Sequence, residues 1–168
     1  ARCVGYLALG RWQVHGEPVW FWIGISSAVY SVGLVFYVLT WPGVLPNGRA
    51  LLGESPNTPA VLGTLASIGL GLGLFGAAAL PGSELRPPPA RSFWLAPLGW
   101  LMAAVLLGIA LVANEPLLPL LVASDGRFTR ASVFWTGFQV LLFGVGAFCS
   151  ARRYARTGDR LLGYMCFC

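Results

Sequence analysis

The sequence predicts an all-α fold, a polytopic transmembrane helix bundle with four full spans and partial helices at both ends. Three observations carry that reading. Val19 to Trp41 carries no charged residue; at 1.5 Å per residue, a helix of about 23 residues is roughly 34 Å long and crosses a ~30 Å hydrocarbon layer with some tilt. The 168 residues are 57% hydrophobic and only 10% charged, with mean hydropathy +0.72, whereas a soluble domain carries about 25% charged residues. Several other apolar stretches also reach spanning length, and the ~10-residue alternating segments of a membrane barrel are absent.

Taken in order, Cys3 to Leu9 is apolar but too short to cross a bilayer, so residues 1 to 18 read as a helix tail followed by a polar link, Gly10 to Pro18. Pro18 opens the first full span, 19–41, where a missing N–H costs least. Trp41 suits the water boundary, and Pro42-Gly43 stops the helix. A turn-rich loop, Pro42 to Asn57, leads to the second span, 58–80, with Thr58 as N-cap and Pro59 in its first turn. Pro87-Pro88-Pro89 makes the link 81–91 a stiff spacer. The third span covers 92–113, with Pro97 early in it. The loop Asn114 to Arg130 holds the turn signal Ser124-Asp125-Gly126. The fourth span covers 131–150, a basic link 151–160 follows, and a partial helix starts at Leu161. The whole reads as one helical domain, 1–168. Because the chain opens on Ala1 and both ends lie in apolar runs, it is expected to be an interior piece of a longer membrane protein.

Charge gives the orientation. Every basic residue is Arg. One set of links holds Arg2, Arg11, Arg86, Arg91, Arg152, Arg153, Arg156 and Arg160; the alternate set holds Arg49, Arg127 and Arg130. That split alternates strictly across four spans. The positive-inside rule then puts residues 1–18, 81–91 and 151–160 in the cytoplasm and the loops 42–57 and 114–130 outside. With its arginines in loops rather than along a soluble face, the chain is not expected to bind nucleic acid. The last cluster, Arg152, Arg153, Arg156 and Arg160, also suits anionic lipid.

Small residues suggest packing faces. Gly69, Gly73 and Ala77 form a stripe on the second span, and Gly137 and Gly144 mark the fourth. Such stripes let helices approach to backbone contact, within the bundle or in a homodimer.

Chemistry is sparse. The four spans contain no Asp, Glu, Lys, Arg or His, the usual working parts of pumps and ion-coupled carriers. Cys3, Cys149, Cys166 and Cys168 lack metal-site spacing and read as ordinary small buried residues, so no metal or other cofactor is expected. No P-loop, carboxylate pair or nucleophile elbow appears, and no enzymatic activity is expected. Gln139 is the one strongly polar side chain in a span, joined by Ser26, Ser27, Ser31 and the phenols of Tyr30 and Tyr37 in the first span; they serve either interhelical hydrogen bonds or a polar pocket wall. The outer loops offer ligand candidates in Trp41, Pro42, Gly43, Asp125, Gly126, Arg127 and Phe128, as a site for a small ligand or quinone head group. Equally, Ser124-Asp125-Gly126 reads as a plain turn and Trp41 as an interface anchor.

From Tyr30 onward the order of features resembles a known family. An aromatic span runs into LTWPG (39–43), then ALLGESPNT (50–58) and a glycine-rich span. LPLLVASDGRFT (118–129) and a helix ending in RRYARTGDRLLGYM follow. This resembles the bacterial membrane-associated sensor (MASE) domains, most nearly their fourth type. The resemblance implies an input module without catalysis of its own, ahead of a covalently attached diguanylate cyclase or histidine kinase output domain in the bacterial inner membrane. Relatives often carry a His before a Phe-Pro-Gly and another on the next helix; here Tyr37 and Ser67 stand near those places, and Trp41 replaces the Phe. The expected function is therefore a transmembrane sensory module, and the alternative is a non-catalytic structural or accessory subunit of a membrane complex.

Overall fold

The computed structural model describes residues 2–46, 48–52, 55, 57–79, 95–123 and 127–158. Among them are five α-helices: α1 (Arg2–His15), α2 (Pro18–Leu39), α3 (Asn57–Ala79), α4 (Leu95–Ala113) and α5 (Arg130–Thr157). Between α4 and α5 lie a 3-10 turn, Glu115–Leu117, and one antiparallel bridge, Val122 to Phe128. The chain is an all-α bundle, and α2 to α5 are long and apolar enough to cross a membrane. The expected spacer 81–91, the first residues of the third span (92–94), the partial helix from 161, Cys166 and Cys168 lie outside the described residues.

Packing partners fix the direction of each helix. Gly33 meets Ala66 and Gly73 meets Ser26, so α2 and α3 are antiparallel. Leu9 packs on Gly24 and Trp12 on Phe21, so α1 and α2 are antiparallel too. Phe36 lies on Gly108 and Trp22 contacts Trp100 at 6.1 Å, which makes α4 parallel to α2. Gly71 meets Leu142 and Gly146 faces Leu74, which makes α5 parallel to α3. Successive helices therefore alternate in direction, as four crossings require. α2 is flanked by α1, α3 and α4, while α3 packs against both α2 and α5.

The tightest core lies where α1, α2 and α3 converge, around Ala8, Val19, Trp20, Ile23 and Ala77. Trp20 is nearly inaccessible. At the α2–α3 seam a Cβ on Gly33 would lie 2.5 Å from that of Ala66. In lipid, where apolar burial gives no gain, such backbone-close contact supplies the dispersion that holds helices together. By contrast α4 buries only Pro97 and Gly108. Leu106, Leu107, Phe134, Val140 and Phe148 are open on the outer faces of α4 and α5. So large an apolar surface is untenable in water and ordinary in a bilayer.

Four helix ends depart from the sequence reading. The expected polar link Gly10 to His15 is helical, because tertiary contacts hold it: the Arg11 guanidinium lies 4.7 Å from the Trp20 ring centre, and the Trp12 and Phe21 rings are 4.7 Å apart. The first span ends at Leu39 rather than Trp41. There the Thr40 hydroxyl donates back to the Phe36 and Tyr37 carbonyls, and the Leu51 and Leu52 amides both donate to the Leu39 carbonyl. Thr58 is not the N-cap of α3: the helix starts at Asn57, whose amide donates to the Ser55 hydroxyl, and the Thr58 hydroxyl serves another partner. Finally, the basic segment 151–157 is not a link but the last two turns of α5. That helix starts on a Thr129 cap and stops only at Gly158, with φ of 65°.

The small-residue stripes are used unevenly. Gly73 is pressed on Ser26, and Ala77 belongs to the core. Gly69, Gly137 and Gly144 have nothing within 4 Å of an added Cβ among the described residues, so they pack against none of the helices α1 to α5. The close approaches are made instead by Gly24, Gly33, Gly71 and Gly108.

Candidate functional site

Two helices that pack on adjoining faces of a third leave a wedge between them. Here α2 and α5 both lean on α3 and scarcely touch each other, and the wedge holds a cavity of about 760 Å³. That size lies within the usual range for small-molecule sites, about 300–1,000 Å³. Helical spacing builds each wall. Tyr30, Leu34 and Tyr37 come from one face of α2, and Trp41 from the turn that follows it. Pro59, Ala60, Gly63, Thr64 and Ser67 form the floor on α3, and Ser132, Thr136 and Gln139 the third wall on α5. Pro42, Leu121, Val122 and Phe128 close round the mouth. Among the described residues the lining holds no Asp, Glu, Arg or His.

The cavity is deep. Tyr30 precedes the end of α2 at Leu39 by about 14 Å of helix, so the wedge reaches from the arginine-poor end to near mid-bundle. Its floor is formed by a close approach: a Cβ on Gly63 would lie 3.1 Å from the Tyr37 ring. Tyr37 also leans on Trp41, with ring centres 5.2 Å apart. Across the cavity, Gln139 donates its side-chain amide to the Thr64 carbonyl at 3.0 Å, joining α5 to α3. A bond of this kind between spans contributes about 0.6–1.7 kcal/mol.

A polar clamp fixes the mouth. Asn57, at the start of α3, donates from Nδ2 to the Pro119 carbonyl (2.8 Å), and its Oδ1 accepts from the Leu121 and Val122 amides (2.7 and 3.1 Å). Glu115 accepts from the Ser55 amide and the Thr58 hydroxyl, both at 2.6 Å. The extended segment after α4 is therefore pinned on the N-terminus of α3, where backbone donors and the helix dipole favour a carboxylate. From there, the Val122–Phe128 bridge folds Phe128 over the cavity, and Thr129 binds the Leu120 carbonyl at 2.7 Å.

Of the sequence candidates, Trp41 and Pro42 line the cavity. Gly43 sits just beyond it in a left-handed turn (φ 96°). Arg127 is exposed outside the lining, and its carbonyl accepts from the Ala123 amide at 2.9 Å. Asp125 and Gly126 lie outside the described residues. Tyr30, Tyr37 and Gln139 all reach the cavity, as does Ser67. Thr64, Ser132 and Thr136 were not singled out by sequence; their signal is recurrence at three- and four-residue steps on faces shared with Ser67 and Gln139. At the arginine-rich end, Arg152 and Arg156 are exposed on α5, Arg153 donates to the Ala77 carbonyl at 3.5 Å, and Arg160 lies outside the described residues. Among the described residues no three His, Cys, Asp or Glu side chains converge.

No protein-family model, curated protein or solved structure matches this chain.

Proposed function

We propose that this chain is the membrane-embedded input module of a bacterial signalling protein, without catalysis of its own. It binds a small molecule in the wedge and reports occupancy through α5 to a covalently attached output domain, a diguanylate cyclase or histidine kinase. In this reading the membrane is the bacterial inner membrane, the arginine-rich end is cytoplasmic, and Arg152, Arg153, Arg156 and Arg160 rest against anionic lipid. The observation that carries it is the three-helix cavity itself. An occupant touches α2, α3 and α5 at once, and α5 continues as one rod of 28 residues, roughly 42 Å, past the hydrocarbon layer. A ligand shifts an equilibrium only by its differential affinity for two packings. In this reading the change of packing falls at the α3–α5 interface, where Gln139 bonds to Thr64 and Arg153 to Ala77 beside the Gly71–Leu142 and Gly146–Leu74 contacts.

The test is a plug. Ala60→Trp in the full-length protein fills the floor of the wedge. Output that becomes fixed, high or low, and unresponsive supports the module. Unaltered output and response, or a reading frame without a signalling domain, removes it.

A second reading rests on α4, whose faces are almost entirely open. Such a helix suits an accessory subunit that lays α4 against a neighbour in a larger membrane complex. Native mass spectrometry from mild detergent separates the two: a stoichiometric partner held through α4 favours the subunit.

A further inference from the structure

The wedge has a chemistry that narrows what it holds, and we infer that it takes a neutral lipophile bearing a ring with hydrogen-bond acceptors, the quinone class, with its apolar tail leaving between α2 and α5. This rests on the binding-module reading above and names the ligand class for it.

Neutrality follows from the lining. Among the described residues it offers no charged side chain, so an ionised ligand held against them would lose its hydration uncompensated, at a cost of several kcal/mol. Acceptors on the ligand follow from the hydroxyls. Ser and Thr within a span ordinarily turn their hydroxyl back to a carbonyl of the previous turn, as Ser31 does to Ser27 and Ser67 to Gly63. Thr64, Ser132 and Thr136 do not. Together with the phenols of Tyr30 and Tyr37, they line the cavity with no side-chain hydrogen bond among the described residues. No buried side-chain N or O is left unsatisfied among the described residues either, so these donors open onto the cavity rather than into packed protein.

A ring follows from the Tyr37–Trp41 pair, two aromatic faces tilted 45° to each other that line the cavity, with Tyr37 seated on Gly63 and Phe128 at the mouth. A tail follows from the depth: Tyr30 lies near the middle of α2, and α2 and α5, which scarcely touch among the described residues, leave a gap between them at that level. Lipid is the phase that reaches it. A water-soluble polar ligand would need no such lateral opening.

The probe is decyl-ubiquinone, titrated into the purified chain in nanodiscs against empty discs. Saturable binding above the partitioning background is expected, at one site per chain. Thr136→Val and Tyr37→Phe each remove one donor while keeping shape, and each should weaken binding about tenfold. Thr136→Ser keeps the hydroxyl and should bind as the parent does, which separates a lost donor from a lost fold. Ser31→Ala, outside the wedge, should change nothing. The sulfonated analogue anthraquinone-2-sulfonate should not compete. Binding no greater than in empty discs, equal binding by Thr136→Val and the parent, or displacement by the sulfonate overturns the assignment. If decyl-ubiquinone fails while Ala60→Trp still fixes output, the ligand class is wrong and the sensory module stands. If it binds but the plug leaves output untouched, the site is real and the sensory module falls.

Discussion

Thr58 and Glu115, 57 positions apart, meet at 2.6 Å, the hydroxyl donating to the carboxylate. The same oxygen takes the Ser55 amide, so one side chain from the segment after α4 fixes the start of α3. Glu115→Ala leaves both donors without that acceptor. Hydrogen bonds to a charged group contribute about 1.5–3 kcal/mol net. The variant should lose stability of that order, and Glu115→Gln, which keeps an acceptor, about half as much. Thermal unfolding in detergent, followed by circular dichroism, checks both.

Asn57 makes the complementary contacts, donating to Pro119 and accepting from Leu121 and Val122. Asn57→Asp retains the acceptor but sets a carboxylate oxygen against the Pro119 carbonyl. It should be the more damaging of two changes, costing about 3 kcal/mol against about 2 for Asn57→Ala, because a buried repulsion is added to a lost bond. The cavity mouth should loosen with it. Faster hydrogen exchange at the 121–123 amides reports this directly.

Glycines of similar spacing should behave oppositely. Gly33→Val drives a branched side chain into Ala66 and should separate α2 from α3, costing about 3 kcal/mol or abolishing assembly. Gly69→Ala and Gly137→Ala meet nothing among the described residues and should be neutral or stabilising by up to about 1 kcal/mol through helix propensity. If Gly137→Ala instead disrupts a detergent-stable dimer, that face belongs to a homodimer. Sedimentation equilibrium decides.

Gly158 closes α5 in the left-handed region, its amide donating to the Tyr154 carbonyl at 2.8 Å. Gly158→Ala should cost about 1 kcal/mol and fray the last turn, leaving the membrane portion of α5 intact. Hydrogen exchange confined to residues 154–157 is the expected signature.

The spans were legible in the sequence because an uncharged stretch of more than eighteen residues has few alternatives in water. Their ends were not. Hydropathy marks where lipid stops, not where a helix stops. Nothing in Arg152-Arg153-Tyr154-Ala155-Arg156 breaks a helix, so α5 continues to the first residue that does, Gly158. The helical state of Gly10 to His15 depends on Arg11 over Trp20 and Trp12 against Phe21, contacts between elements that no local pattern carries. Gly69 and Gly137 were conspicuous by repetition, yet spacing defines a face without saying what it meets. Gly33 and Gly108, standing alone, make the close approaches. The cavity was half visible: Tyr30, Tyr37 and Gln139 stood out as polar in lipid. Thr64, Ser132 and Thr136 did not, since hydroxyls in a span usually satisfy themselves on their own backbone.

The parallel course of α3 and α5 has a consequence for biogenesis. Parallel neighbours cannot be made as a hairpin. As the chain emerges from the ribosome, α2 and α3 can clasp at once, but the third wall must wait until α4 has passed back through the bilayer. Until that late arrival the Tyr37–Trp41 wall stands unroofed, so on the proposed reading a guest dissolved in the membrane can settle there first and be enclosed when α5 comes in.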